Sequence, residues 1–320
     1  MEQTIIALET PGLFLNKIRG FLQAQKEGEV IAKVSLDDLA ALVVNAHGLS
    51  YTNSLIVWLA ELNVPIVLCG KNHLPAATVL PVVSNFKQAK YLNAQAKLSK
   101  PRSKQTWAAV VKSKISWQAF TLEQFDCNSK SLQRMGSLVR SGDPTNIEAQ
   151  AARVYWKKLM GIQFRRDVAC PGENQLLNYG YAILRASVCR ALMSAGLNPG
   201  FGIHHCSETN PMRLVDDLME PFRPLIDLRV RKIVDSAGGE LTKEAKQDLA
   251  GTMQEPVPGN GSGPLMNHIY RIALDYRAVI IGEIESLSIP QPVKKKPPKS
   301  ATKKPNAPKR LPPDVAVSNV

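Results

Sequence analysis

Short runs rich in branched apolar residues dominate the first eighty positions of the chain. Thr4-Ile5-Ile6-Ala7-Leu8 and Glu29-Val30-Ile31-Ala32-Lys33-Val34 read as strands, the second introduced by the turn pair Glu27-Gly28. Asn63-Val64-Pro65-Ile66-Val67-Leu68 reads as a further strand. Between them, Ser35-Leu36-Asp37-Asp38 has the form of a helix start. Ser35 would be the cap, the two acids fall in the first turn, and Leu39, Leu42 and Val43 follow. One or two helices are therefore expected among the strands.

After Leu80-Pro81-Val82 the pattern turns helical. Trp107, Val110, Val111, Ile115 and Trp117 suit a helix, and so do residues 151–160 and 176–193. A Gly- and Pro-rich segment, 253–264, separates these from a last helix beginning at Leu265 and ending near Ile284. Beyond Ser288 the chain is rich in Lys, Pro and Ala with almost nothing to bury. The expected fold class is α+β. A β-rich N-terminal domain covers 1–82, a linker 83–96, a larger all-α domain 97–288, and a disordered basic tail 289–320.

Composition fits this division. The 320 residues are 44% hydrophobic and 21% charged, ordinary globular values that speak against a wholly disordered or membrane-embedded chain. The longest apolar stretch, 54–68, is broken by Glu61 and Asn63, and Met1-Glu2-Gln3 does not open a secretory signal. The five cysteines are scattered without CxxC spacing, so a reducing cytoplasm is expected. The net charge of +13 changes the picture more. Lys294, Lys295, Lys296, Lys299, Lys303, Lys304, Lys309 and Arg310 face only Asp314 in the tail. Lys87, Lys90, Lys97, Lys100, Arg102, Lys104, Lys112 and Lys114 occur with no acid among them. Such a distribution points to a polyanionic partner.

Three stretches carry candidate chemistry. In Thr145-Asn146-Ile147-Glu148, the carboxylate of Glu148 either closes a capping box with Thr145 or faces a cleft beside the small Ala149 and Ala152. Gly200-Phe201-Gly202-Ile203-His204-His205-Cys206 presents two imidazoles on a glycine-bearing loop. Neighbours in an extended segment point opposite ways, so at most one of them serves as a ligand. In Arg213-Leu214-Val215-Asp216-Asp217-Leu218-Met219-Glu220, three carboxylates share a helix face and repel one another. Either Arg213, as the i,i+4 partner of Asp217, or a bound cation would offset that repulsion. Oxygen donors with one imidazole suit Mg²⁺ or Mn²⁺, an ion that polarises a phosphoryl oxygen for phosphodiester chemistry. Zinc is disfavoured because Cys206 has no second cysteine at finger spacing.

Taken in order, four motifs resemble one family. They are Asn146-Ile147-Glu148-Ala149-Gln150-Ala151-Ala152-Arg153, Leu177-Asn178-Tyr179-Gly180-Tyr181-Ala182, Gly202-Ile203-His204-His205, and Asp217-Leu218-Met219-Glu220-Pro221-Phe222-Arg223-Pro224. The family is that of the CRISPR-associated spacer-acquisition integrases. Ser35-Leu36-Asp37-Asp38-Leu39-Ala40-Ala41-Leu42 and Asn63-Val64-Pro65-Ile66-Val67 resemble its β-domain, and the wording from Asp216 to Pro224 is closest to the branch that accompanies single-protein RNA-guided effectors. The resemblance implies Glu148, His205 and Glu220 as metal ligands, His205 rather than His204 by its spacing from Glu220. Asp216 and Asp217 then stand behind the ligands, and Tyr179 lies near the scissile strand. It also implies a homodimer built through the β-domain and a small ferredoxin-like companion subunit, with the RNA-guided effector as a further candidate partner. The implied reaction joins 3′-hydroxyl ends of a captured DNA fragment to the CRISPR repeat by transesterification. Lys87, Lys90, Lys100, Arg102, Lys104, Lys112, Lys114, Arg153, Arg165, Arg166, Arg223 and Arg229 are candidates for DNA-backbone contacts. The competing reading is a non-catalytic DNA-binding scaffold in which Arg213 and Arg223 neutralise the acids.

Overall fold

The computed structural model describes residues 4–70, 75–259 and 263–293. In chain order the N-terminal elements are β1 (Thr4–Leu8), β2 (Phe14–Ile18), β3 (Phe21–Lys26), β4 (Glu29–Ser35), β5 (Leu39–Val44), β6 (Ser50–Tyr51), α1 (Asn53–Glu61), β7 (Ile66–Cys69) and β8 (Pro75–Val79). The helical body follows as α2 (Gln88–Ala96), α3 (Lys100–Glu123), α4 (Lys130–Leu138), α5 (Ile147–Leu159), α6 (Glu173–Ser194), α7 (Arg213–Met219), α8 (Arg223–Ala237), α9 (Lys243–Gly251) and α10 (Leu265–Ile280). Glu220–Phe222 and Thr252–Gln254 form 3-10 turns. A strand-rich N-terminal part followed by a helical body is the α+β arrangement expected from the sequence.

The strands form two sheets. The first runs β1-β5-β7-β8, with β5 parallel to both β1 and β7 and β8 antiparallel at the edge. The second runs β4-β3-β2-β6. Its two hairpins turn on Arg19-Gly20 and Glu27-Gly28, each with positive φ at both central residues, as two-residue turns between twisted strands require.

Leu39–Val44 is a strand, which corrects the helix expected after Ser35. The cause is burial on both faces. Leu39, Leu42 and Val44 enter a core with Leu15, Leu22, Leu55 and Leu59, whereas Ala40, Ala41 and Val43 join the core of the helical body. A strand covered on both sides has no polar alternation, so a short apolar run with an acidic prelude imitates a helix start.

Two boundaries also move. The segment 83–96 carries α2, whose Gln95 donates to Asn198 O at 3.0 Å and accepts from Asn198 N at 2.9 Å. Much of the expected linker is therefore a docked helix. The expected disordered tail begins too early, because Leu287 and Ile289 are buried and Pro290 O accepts bonds from Trp117 Nε1 at 2.9 Å and Ser113 Oγ at 3.3 Å. Two apolar side chains and a buried indole needing an acceptor hold 289–293 on α3. Residues 294–320 of that expectation lie outside the described residues.

Helix α6 is the axis of the body, buried over most of its length and packed on β5, α8, α9 and α10. Gly180 lets α8 approach, since a Cβ there would stand 2.5 Å from Ile226 Cγ2.

Candidate active site

The site is assembled on α3. Ser103 Oγ donates to Ile203 O at 2.5 Å. One turn on, Trp107 stacks on His204 with ring centroids 4.3 Å apart and meets His205 edge-on at 5.8 Å. The glycine-bearing loop is thus clamped from below. From the other side Asp217 of α7, fully buried, accepts the backbone N–H groups of Ile203 at 2.5 Å, His204 at 3.0 Å and His205 at 3.3 Å. Its Oδ1 also lies 2.5 Å from His205 Nδ1. A carboxylate facing Nδ1 fixes the proton there and leaves Nε2 as the nitrogen free to act. The hydrogen bond to Asp217 raises the His205 pKa above the ordinary imidazole value, against the opposing effect of burial.

Glu148 is not a cap. Asn146, in a left-handed conformation at φ 52°, accepts from Ala149 N at 3.2 Å, and Asp143 accepts from Ile147 N and Glu148 N, both at 2.9 Å. These two side chains satisfy the start of α5 in place of Thr145, which frees the Glu148 carboxylate. It meets Lys114 Nζ of α3. Glu220 opens the 3-10 turn ahead of Pro221 and reaches the same ammonium, with Oε2 2.5 Å from Lys114 Nζ and Oε1 2.9 Å from Arg223 Nε. Lys114, Glu148 and Glu220 expose only 11%, 27% and 9% of their side chains, so the group is largely dry.

Burial works against the Lys114 ammonium, but Glu220 and Glu148 outweigh it and hold its pKa above the usual lysine value. Burial likewise works against the Glu220 carboxylate, and Arg223 and Lys114 outweigh it to leave the pKa lowered. Lys114 donates a hydrogen bond to Glu148, whereas the Glu220 contacts are charge contacts more than directed bonds, since Glu220 Oε2 and Arg223 Nε are buried without an aligned hydrogen-bond partner. Lys114 is thus corrected from a DNA-contact candidate to an internal counter-ion. The signal was a lone lysine inside the apolar face set by Trp107, Val110, Val111 and Ile115.

The remaining acids divide by partner. Asp216 takes Arg185 Nε at 2.7 Å and Arg185 Nη2 at 3.0 Å. Arg213 donates to Gly200 O at 2.8 Å, not to Asp217 as its i,i+4 spacing suggests, because Asp217 is already committed to the loop. Asp227 of α8, absent from the sequence reading, accepts from Tyr155 OH at 2.9 Å and from Tyr181 OH. Burial raises its pKa to about 7, opposed by those hydroxyls and by Arg223 and Lys114. A cavity of about 170 Å³ beside Lys114 is lined by Gln118, Trp156, Tyr181, Glu220, Arg223 and Asp227. Arg223 lies over the Tyr181 ring at 4.6 Å and bounds it.

Tyr179 is not brought to this group. Its ring is buried with Lys246 Nζ 6.0 Å above it, and Lys246 pairs with Glu9 at 3.1 Å. It is Tyr181, two residues on and 100° per residue around α6, that faces the site. Of the other basic candidates, Arg102 donates to Val279 O at 2.9 Å and Arg166 to Asn174 at 3.0 Å and Asn178 at 2.6 Å. Arg229 pairs with Asp248 and, at 3.1 Å, with Glu255. These three, with Lys114 and Arg223, are engaged inside the fold. Lys87, Lys90, Lys97, Lys100, Lys104, Lys112, Arg153 and Arg165 are exposed. Among the described residues no group of three or more His, Cys, Asp or Glu side chains is placed to hold a metal ion as the side chains stand, and no helix is long and apolar enough to cross a membrane.

The fold has solved relatives. A casposase bound to integration product superposes with a TM-score of 0.72 at 20% identity, over 89% of this chain and 92% of that one. A chain of a Cas6-RT-Cas1–Cas2 complex gives a TM-score of 0.72 at 20% identity, over 88% of this chain and 35% of that one. Sequence comparison narrows the class. The family model described as CRISPR associated protein Cas1 matches residues 6–245. The CRISPR-associated endonuclease Cas1 of Neisseria meningitidis serogroup C (strain 8013) is 39% identical over 240 residues, 74% of this chain and 78% of that protein. The chain belongs to the Cas1 family.

Proposed function

We propose that this chain is a divalent-metal-dependent DNA endonuclease and integrase that inserts captured DNA fragments into a CRISPR array. The observation that carries the reading is the convergence of Glu148 and Glu220, from separate elements, on one buried cationic centre, with His205, oriented by Asp217, close enough to Glu220 for their charges to interact. Two carboxylates that already share a cation, one with an oxygen lacking an aligned hydrogen bond, fit a hard divalent ion. Glu148, Glu220 and His205 Nε2 would hold Mg²⁺ or Mn²⁺. That ion supplies Lewis-acid polarisation of a phosphoryl oxygen.

The chain's own residues do the rest. Asp217 fixes the tautomer and direction of His205. Arg223 neutralises Glu220 on the side away from Lys114 and shapes the cavity floor with Tyr181. The exposed lysines of α2 and α3 would track the DNA backbone without reading sequence. Transfer of a fragment's 3′-hydroxyl end into the repeat is a transesterification: the 3′-oxygen forms the new P–O bond as the repeat strand's own P–O bond breaks and its oxygen leaves as a 3′-hydroxyl, so no covalent enzyme intermediate is needed.

The partners follow from the same reading. Phe14, Ile18 and Phe21, with Ile18 and Phe21 directly paired, leave apolar side chains exposed on the second sheet, which suits a homodimer formed through residues 1–82. A small ferredoxin-like companion subunit would complete the adaptation complex, in keeping with the Cas1–Cas2 assembly among the fold's relatives.

Release of a branched DNA substrate, measured with Mn²⁺, with Mg²⁺ and with EDTA, tests the activity. His205→Ala and Glu220→Ala are expected to abolish joining while DNA binding stays within several-fold. Joining that EDTA leaves undiminished overturns the metal reading. A non-catalytic DNA-binding scaffold is favoured by one observation, that Lys114 and Arg223 already neutralise both glutamates. The scaffold reading expects no release under any metal.

A further inference from the structure

Lys114 stands where two acidic side chains meet, and a second place for its ammonium lies next to the first. Gln118 is one turn further along α3, at i+4, and is almost wholly buried with its Oε1 lacking a hydrogen-bond partner. An orphaned buried carbonyl oxygen costs free energy, and a donor arriving there would recover it. Gln118 and Lys114 line the same cavity of about 170 Å³, and the Asp227 carboxyl lines it too. The lysine stem has four carbons and rotates freely at its end, so the ammonium needs no backbone change to move between the two places.

We propose that Lys114 is a displaceable internal counter-ion: its ammonium holds Glu148 and Glu220 together in the metal-free protein, and an entering divalent cation drives it into the adjoining cavity, onto Gln118 Oε1 and Asp227. The proposal rests on the metal reading above and adds to it the competitor that the metal has to displace. Two close carboxylates, Glu220 buried and Glu148 half-buried, repel without a counter-ion, which the ammonium prevents. The metal then binds only the fraction of molecules in which Lys114 has moved, and its apparent affinity is reduced by that fraction. Gln118 sets the fraction, because it stabilises the displaced position. The device keeps the acidic pair neutralised before metal arrives, so that DNA approaches a site without net negative charge.

The test is Mn²⁺ affinity of the full chain without DNA, read from the electron paramagnetic resonance of free Mn²⁺. Lys114→Met is expected to bind Mn²⁺ roughly ten-fold more tightly than the parent, about 1.4 kcal/mol. Gln118→Leu is expected to bind about three-fold more weakly, since the displaced ammonium loses its acceptor. In the double variant the Gln118→Leu effect should vanish, because there is no longer a lysine to receive. Lys114→Gln gives the same sign if Lys114→Met does not fold, and circular dichroism establishes which variants are folded. Mn²⁺ binding by the parent that is unchanged or weakened in folded Lys114→Met or Lys114→Gln overturns the counter-ion proposal alone. A Gln118→Leu effect that persists in full in the double variant overturns the second position. Absence of Mn²⁺ binding in the parent and in both folded Lys114 variants overturns the proposal and the metal reading together.

Discussion

Asp217 and His205 are joined at 2.5 Å through Oδ1 and Nδ1, and the same carboxylate gathers the three successive backbone N–H groups of Ile203, His204 and His205. One buried acid therefore sets both the path of the loop and the direction of its imidazole. Asp217→Ala is expected to lose about 1–3 kcal/mol of stability, because buried donors lose their acceptor. Urea unfolding measures it. Asp217→Asn should also bring the His205 pKa down toward the usual value of about 6.5, as read by proton NMR of the ring.

Asp227 gives the protein a pH dependence of definite sign. Its folded pKa of about 7 lies above the unfolded carboxyl value of about 3.9, so the native state holds the proton more tightly between those limits. Stability from this group is full below the lower value and is lost as pH rises through the upper one. Urea midpoints from pH 4 to pH 8 should therefore fall with rising pH, and Asp227→Asn should flatten the slope. A slope unchanged in that variant assigns the dependence to other groups.

Gly202 has no room for a side chain. A Cβ there would lie 2.6 Å from His205 O and 3.1 Å from Asp217 Oδ2. Gly202→Ala is expected to displace the histidine loop, abolishing DNA joining while the helical content read by circular dichroism stays within error. Retained joining would mean that the loop gives way without moving His205.

Acids and imidazoles beside helix signals marked three stretches of this site, the family resemblance singled out Glu148, His205 and Glu220 within them, and what was not legible has a physical reason. The structure brings Glu148 and Glu220 onto one ammonium and leaves His205 within charge-interaction range of Glu220. Lys114 was visible as a charge but not as a buried one, since only the packing of α3 against α5 and the Glu220 turn decides which face is dry. Tyr179 and Tyr181 differ by two positions on α6, about 200° around the helix, and a motif does not say which of them points to the acids. In the fold, β5 was misread because a strand buried on both faces loses the alternation that marks strands. The turn at Glu27-Gly28 was read correctly because turn chemistry is local, although the strand before it was not foreseen.

The basic residues sort into two groups with different expected defects. Lys100→Ala and Lys104→Ala, at exposed positions of α3, should each lower the salt dependence of DNA binding by roughly one phosphate contact and leave unfolding unchanged. Arg102→Ala should instead cost about 1–3 kcal/mol of stability through the lost bond to Val279 O, with a small effect on the salt slope. Fluorescence anisotropy across a salt series, paired with thermal unfolding, separates the two.

The first sheet is a party wall. One side of β5 belongs to the core of the N-terminal strands and the other to the core that holds α6, whose Tyr181 and Arg185 reach the acids of the site. A chain cut near residue 82 yields neither a free-standing β module nor an intact helical one, for each half would lose a face of its own interior. In the homodimer proposed above, the two acidic centres would accordingly be registered against each other through packed side chains rather than through a flexible tether, so that their separation becomes a property of the hydrophobic core.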